Sequence, residues 1–116
     1  MKFDKHVPLT PAAFHILLAL ADEDRHGYAI MKEVASATDG QIRLGPGTLY
    51  GAIKKLLLDG LIEEADERPD PSLDDARRRY YRLTKHGARI ASAEAGRLAA
   101  LVKLARRKKL LSPASL

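Results

Sequence analysis

The sequence has no cysteine and no tryptophan, only 2 phenylalanines and 4 tyrosines, and its longest unbroken apolar run is ILLALA at 16–21. Each shortage closes off a class of protein. Without cysteine there is no disulfide framework, no thiol chemistry and no cysteine-based zinc site, and the cytoplasm is the natural compartment. ILLALA is far too short to cross a bilayer, and the opening MKFDKHVPLT lacks the hydrophobic region of a signal peptide, so a soluble intracellular chain is expected. His6, His15, His26 and His86 have neither an i, i+4 partner nor carboxylates at ligand spacing, so no metal is expected. GPGTLYG fits neither phosphate-loop spacing. Glu63 and Glu64 are neighbours on an extended run and face opposite ways, which spoils them as an acid and base pair. No nucleophile, base and orienting carboxylate stand together, and neither catalysis nor a cofactor is expected.

What remains is a chain of 116 residues, 46% apolar, able to bury one modest core. Its 20 lysines and arginines against 15 aspartates and glutamates leave a net charge of +5. A basic balance favours a polyanionic partner, though where the charge sits matters more than its total.

LTPAAFHILLALAD offers Thr10 as an N-cap and Pro11 at the first helical position. Phe14, Ile16, Leu17, Leu18 and Leu20 then crowd a first helix, read as Pro11 to Ala21, that is mostly buried, with His15 a partly buried packing residue. DEDRHG reads as a polar turn. A second, short amphipathic helix follows, carrying Tyr28, Ile30, Met31, Val34, Ala35 and Thr38 on one stripe. In GQIRLGPG the alternation of Ile42 and Leu44 suggests a tiny strand. PGTLYGAIKKLLLDG starts a third helix at Pro46 and ends it before Gly60, with Leu49, Ile53, Leu56 and Leu57 on a core face and Thr48, Tyr50, Lys54 and Lys55 off it. LIEEADE and RRRYYRLT form a hairpin whose long tip, RPDPSLDDA, is rich in proline and aspartate. Period-two alternation puts Arg79, Tyr81 and Leu83 on its core side, with Arg78, Tyr80, Arg82 and Thr84 on the other.

The last segment, KHGARIASAEAGRLAALVKLARRKKLL, repeats Ile90, Leu98, Leu101, Val102 and Ala105 at helical spacing. A helix of that length outruns so small a core, and an exposed apolar stripe calls for a partner helix, most simply the same helix of a second copy. Only the terminal SPASL reads as disordered. The expected fold is mainly α with a small antiparallel β-hairpin: a winged helix-turn-helix over residues 1–86 and a long C-terminal dimerisation helix with a short tail over 87–116. The second and third helices form the helix-turn-helix, the third offered to a major groove.

Three stretches carry candidate chemistry. LGPGTLY leaves free backbone N–H groups beside Thr48 and Tyr50, suited to a phosphate oxygen, although a plain glycine-proline turn explains it as well. Lys54 and Lys55 reach bases or phosphates from one turn further on, or are simply a solvated face. Arg78, Tyr80 and Arg82 share a strand face whose reverse is core, and guanidinium groups between phenols suit phosphate contact and stacking. Against that, Asp70, Asp74 and Asp75 in the tip repel DNA, which places contact at the strand base. The terminal KLARRKK serves the helix macrodipole equally well as a second phosphate contact.

HGYAIMKEV, GPGTLYGAIKKLLLDGLIEE and RRRYYRLTKHGARI together resemble the PadR family of transcriptional regulators, from about Leu9 to Ile90. The most specific matches are Gly27-Tyr28, Gly47-Thr48-Leu49-Tyr50, Asp59-Gly60-Leu61-Ile62 and Tyr80-Tyr81-Arg82-Leu83-Thr84 followed by Gly87. The resemblance implies a homodimeric repressor of double-stranded operator DNA with an inverted repeat, and, in some members, a small-molecule effector. By position it implies Thr48, Tyr50, Lys54 and Lys55 on the recognition face, Tyr28 near the DNA backbone, and Arg78, Arg79, Tyr80 and Arg82 along the wing. Gly51 departs from the family's usual proline and Gly45 from its serine-type cap. The acidic tip is longer than usual, and the final helix lacks aromatics for a drug sandwich. Two other functions compete: a winged helix that binds protein, for which reversing Arg78 and Arg82 to glutamate would be harmless, and a multidrug sensor with little sequence-specific DNA binding.

Overall fold

The computed structural model describes residues 5–65 and 79–112. The described residues form four helices and three short strands in the order α1 (Pro11–Ala19), β1 (Arg25–His26), α2 (Gly27–Ala37), α3 (Pro46–Leu58), β2 (Ile62–Glu64), β3 (Tyr80–Leu83) and α4 (Lys85–Arg107). The strands form an antiparallel sheet in the order β1-β3-β2, with Arg25 opposite Tyr81 and Ile62 opposite Leu83. The result is a mainly helical winged-helix fold, the architecture expected from the sequence.

The core is one cluster contributed by every helix. Ile16 and Leu17 of α1, Ile30 and Val34 of α2, Leu49, Ile53 and Leu56 of α3, Leu61 and Ile62 beside them, Tyr81 of β3 and Ile90 of α4 are all buried together. Helices α1 and α4 begin where a threonine side chain satisfies a free N–H group. Thr10 Oγ1 accepts from Ala13 N–H, and Thr84 Oγ1 accepts from Gly87 N–H. Thr84 also donates to the Gly60 carbonyl at 2.7 Å, so one hydroxyl ties the turn after α3 to the start of α4. Gly60 holds φ at +73°, a left-handed conformation that L side chains rarely adopt. Gly87 is required for a different reason: a Cβ there would collide with the Leu61 carbonyl oxygen, so only glycine lets α4 lie against the chain entering β2.

The structure differs from the sequence pattern at four local points. The third strand is Arg25–His26, inside what reads as a polar turn, while Ile42 and Leu44 form no strand. Their alternation has another cause: both dip half-buried toward the core from a connection that Thr38 Oγ1 holds by accepting from Ile42 N–H at 3.0 Å. Helix α1 ends at Ala19, two residues early, because Leu20 turns into its C-cap. Ile90, counted in sequence with the partner-seeking stripe, is buried in the protomer's own core. Burial along α4 continues from Gly87 through Ile90 to Glu94. The hairpin tip, with Asp70, Asp74, Asp75 and Arg78, and most of SPASL lie outside the described residues.

Glu94 is a buried carboxylate, 2% exposed. Arg97 donates Nε and Nη2 to its two oxygens at 2.7 and 2.8 Å, making a forked pair one turn along α4. Those bonds, helped by the Leu9 backbone N–H, hold its carboxyl below the usual range even though burial pushes the other way. Beyond Glu94 the helix carries no buried residue: Leu101 and Leu104 are exposed and Leu98, Val102 and Ala105 only half-buried. The Cα radius of gyration of 15.9 Å exceeds the roughly 13 Å of a compact 100-residue domain, as a projecting helix requires.

Candidate nucleic-acid interface

Helix α3 has two faces. Leu49, Ile53 and Leu56 are buried, whereas Gly47, Thr48, Tyr50, Gly51, Lys54 and Lys55 are exposed. Among the described helices it alone has an N-cap, Gly45, that provides no side-chain acceptor. Cβ atoms added at Gly45, Gly47 or Gly51 would meet nothing within 4 Å, so the bare strip at the start of α3 belongs to the outer surface. Lys54 has no carboxylate partner among the described residues, while Lys55 Nζ lies 3.2 Å from Asp59, one turn along.

The aromatic side chains converge beside this face. Tyr28 and Tyr50 are each about half exposed, at 53% and 50%. The Tyr50 phenol lies over Gly27 so closely that a Cβ at Gly27 would overlap its hydroxyl, which couples α3 to the start of α2. His26 caps α2 by accepting Ala29 N–H at Nδ1, a bond that needs that nitrogen unprotonated. Its ring lies 6.5 Å from Tyr28, in parallel planes, and meets the edge of Tyr80 at 5.3 Å. Lys32 Nζ sits 5.5 Å from the centre of the Tyr28 ring, within reach of a cation–π contact. The pairing of His26 with Tyr80 in the sheet is what brings α2 and the wing strand together. Short-range sequence patterns do not reveal β1, and so they miss His26 as the link between Tyr28 and Tyr80.

On β3 the alternation holds in the ladder: Tyr81 is buried and Leu83 half-buried, with Tyr80 and Arg82 partly exposed on the other side. Burial pushes the Tyr81 phenol above its usual range, with Glu64 adding in the same direction. Arg79 departs from the alternation. It sits just before the ladder, where no core lies beneath it, and it is exposed and bonded to Glu64 at 2.9 Å. Arg82 approaches Glu63, its cross-strand neighbour, at 3.7 Å. Both described wing arginines therefore have carboxylate partners, and Arg78 falls outside the described residues. Among the described residues no group of three His, Asp or Glu side chains is arranged to hold a metal ion, and no helix is long and apolar enough to cross a membrane.

A three-helix body, a wing strand beside it and an exposed third helix define a winged helix-turn-helix. The profile of the transcriptional regulator PadR-like family matches residues 16–93, and the chain belongs to that family, whose members are transcriptional regulators and not enzymes. Among curated relatives, an uncharacterised 37.1 kDa protein in transposon Tn4556 of Streptomyces fradiae is 37% identical over 86 residues, 74% of this chain. An uncharacterised protein X of Lysinibacillus sphaericus is 33% identical over 72 residues, 62% of this chain. The alignments span 22% and 63% of those relatives' own lengths. Among solved structures, a transcriptional regulator from Clostridium thermocellum shares the fold at TM-score 0.71 and 24% identity, covering 91% of this chain and 97% of that one. A PadR family transcription regulator from Clostridium difficile does so at TM-score 0.68 and 23% identity, covering 84% and 97%. RosR of H. salinarum matches at TM-score 0.61 and 26% identity, covering 91% and 90%.

Proposed function

We propose that the protein is a homodimeric repressor that binds an inverted-repeat operator, with α3 entering the major groove. The observation that carries this reading is the division of α3 into a face locked in the core and an opposite face of Thr48, Tyr50 and Lys54, beside an uncapped N-terminus. Tyr28 and Tyr80 lie along the adjoining backbone, joined through His26. The second half of α4, after Glu94, supplies the dimer contact through Leu98, Leu101, Val102 and Ala105, to which the exposed Leu104 is added. The working boundary between body and dimerisation element accordingly falls after Glu94 rather than after His86.

Selection of random duplex DNA by the purified protein tests the reading. Enrichment of a two-fold symmetric motif with half-sites about one helical turn apart is the expected result. A pool that stays unenriched, with binding abolished by moderate salt, would leave only a nonspecific phosphate surface and sink the operator assignment.

A further inference from the structure

The described part of α2, the connection to α3, α3 itself and the β2–β3 ladder with the residue entering it carry six basic side chains: Lys32, Arg43, Lys54, Lys55, Arg79 and Arg82. They divide into two groups. Lys55, Arg79 and Arg82 each face a carboxylate, namely Asp59, Glu64 and Glu63 at 3.2, 2.9 and 3.7 Å. Lys32, Arg43 and Lys54 face none among the described residues. The distinction matters for a polyanion. A paired cation presents no net charge, and a phosphate that captures it acquires the abandoned carboxylate as a neighbour. A free cation neutralises a phosphate and releases a counterion.

The two free cations outside α3 are also pre-placed. Lys32 lies one helical turn after Tyr28 and rests its ammonium over that ring, on the end of α2 where His26, Tyr50 and Tyr80 gather. Arg43 is exposed between the half-buried Ile42 and Leu44, two residues before the α3 N-cap. Its guanidinium lies alongside Gly40, where φ is +78° and a Cβ would stand only 3.0 Å from Nη2. Glycine at 40 therefore serves both the turn and the seat of Arg43.

We infer that Lys32 and Arg43, together with Lys54, make phosphate contacts, and that among the described residues the wing pairs Arg79–Glu64 and Arg82–Glu63 are charge-neutral struts that make none. This rests on the DNA-binding reading and moves those contacts from the described wing pairs to the helix-turn-helix.

The test measures affinity of the full chain for its selected duplex, or for a random duplex if selection yields none, by fluorescence anisotropy over a range of salt. Lys32→Gln and Arg43→Gln should each flatten the slope of log affinity against log salt by about 0.9 per protomer bound, and Lys32→Arg should restore it. The double variants Glu64→Gln/Arg79→Gln and Glu63→Gln/Arg82→Gln remove both partners, leave net charge unchanged, and should keep the wild-type slope. A purely structural role for Lys32 would lower affinity equally at all salt concentrations without changing the slope, and that result overturns the assignment. So does a slope lost in the double variants and kept in Arg43→Gln. A wild-type chain that binds no duplex at any salt would instead sink the DNA-binding reading beneath it.

Discussion

The two halves of α4 share one helical period and do opposite things. From Lys85 to Glu94 the helix is part of the body: Gly87 touches the Leu61 backbone, Ile90 completes the core and Glu94 is buried in its forked pair with Arg97. From 95 to 107 the same kind of apolar repeat leaves Leu101 half exposed and Leu104 more than a third exposed. The difference teaches that a hydrophobic stripe says a surface is wanted and not whose it is. Burial within the protomer answers for the first half, and the second half is open for a second copy.

The largest effect is expected from breaking the first half. Gly87→Ala forces a methyl group into the Leu61 carbonyl, with Leu83 also in the way, and should cost about 3 kcal/mol or more, read as a fallen urea midpoint or loss of folded protein. The second half should respond in the opposite sense. Leu101→Asp with Leu104→Asp should leave the unfolding free energy of the protomer within about 1 kcal/mol while sedimentation shifts from dimer to monomer. If the pair unfolds the chain, the two halves are not distinct.

A milder perturbation acts through pH. The folded pKa of Glu94 lies below its unfolded value, so its contribution is fully present above the unfolded pKa of about 4.5 and is lost as pH falls through the folded pKa. Glu94→Gln should lower stability at neutral pH and flatten the fall in stability below about pH 4.5 relative to wild type. Unfolding curves of both proteins across that range decide it. The smallest effect belongs to Gly51, which is exposed in mid-helix with open space around a would-be Cβ. Gly51→Ala should raise stability by roughly 0.5 to 1 kcal/mol, the reverse of Gly87→Ala.

Much of this was legible in the residues because the signals are local. Thr10-Pro11 marks α1, Pro46 and Gly60 bracket α3, and the alternation through Tyr81 and Leu83 identifies the buried side of β3. The features that escaped depend on partners distant in sequence. Two residues, Arg25 and His26, have no period of their own and become a strand only because β3 lies alongside. Ile42 and Leu44 alternate for want of a helix, not for presence of a strand. The wing arginines read as a free basic run until the ladder sets Glu63 opposite Arg82 and Glu64 near Arg79. Arg43 and Lys32 are single charges in the sequence, and what sets them apart is the lack of carboxylates around them among the described residues.

The central claim is that the open half of α4 joins two protomers so that two α3 helices meet one face of a duplex. Its most direct test compares affinities for one half-site, for two inverted half-sites centred about 10 base pairs apart, and for the same two moved about half a helical turn out of phase. The account predicts tight binding to the in-phase pair alone, with the out-of-phase pair no better than the single half-site. Equal affinity for all three would contradict it.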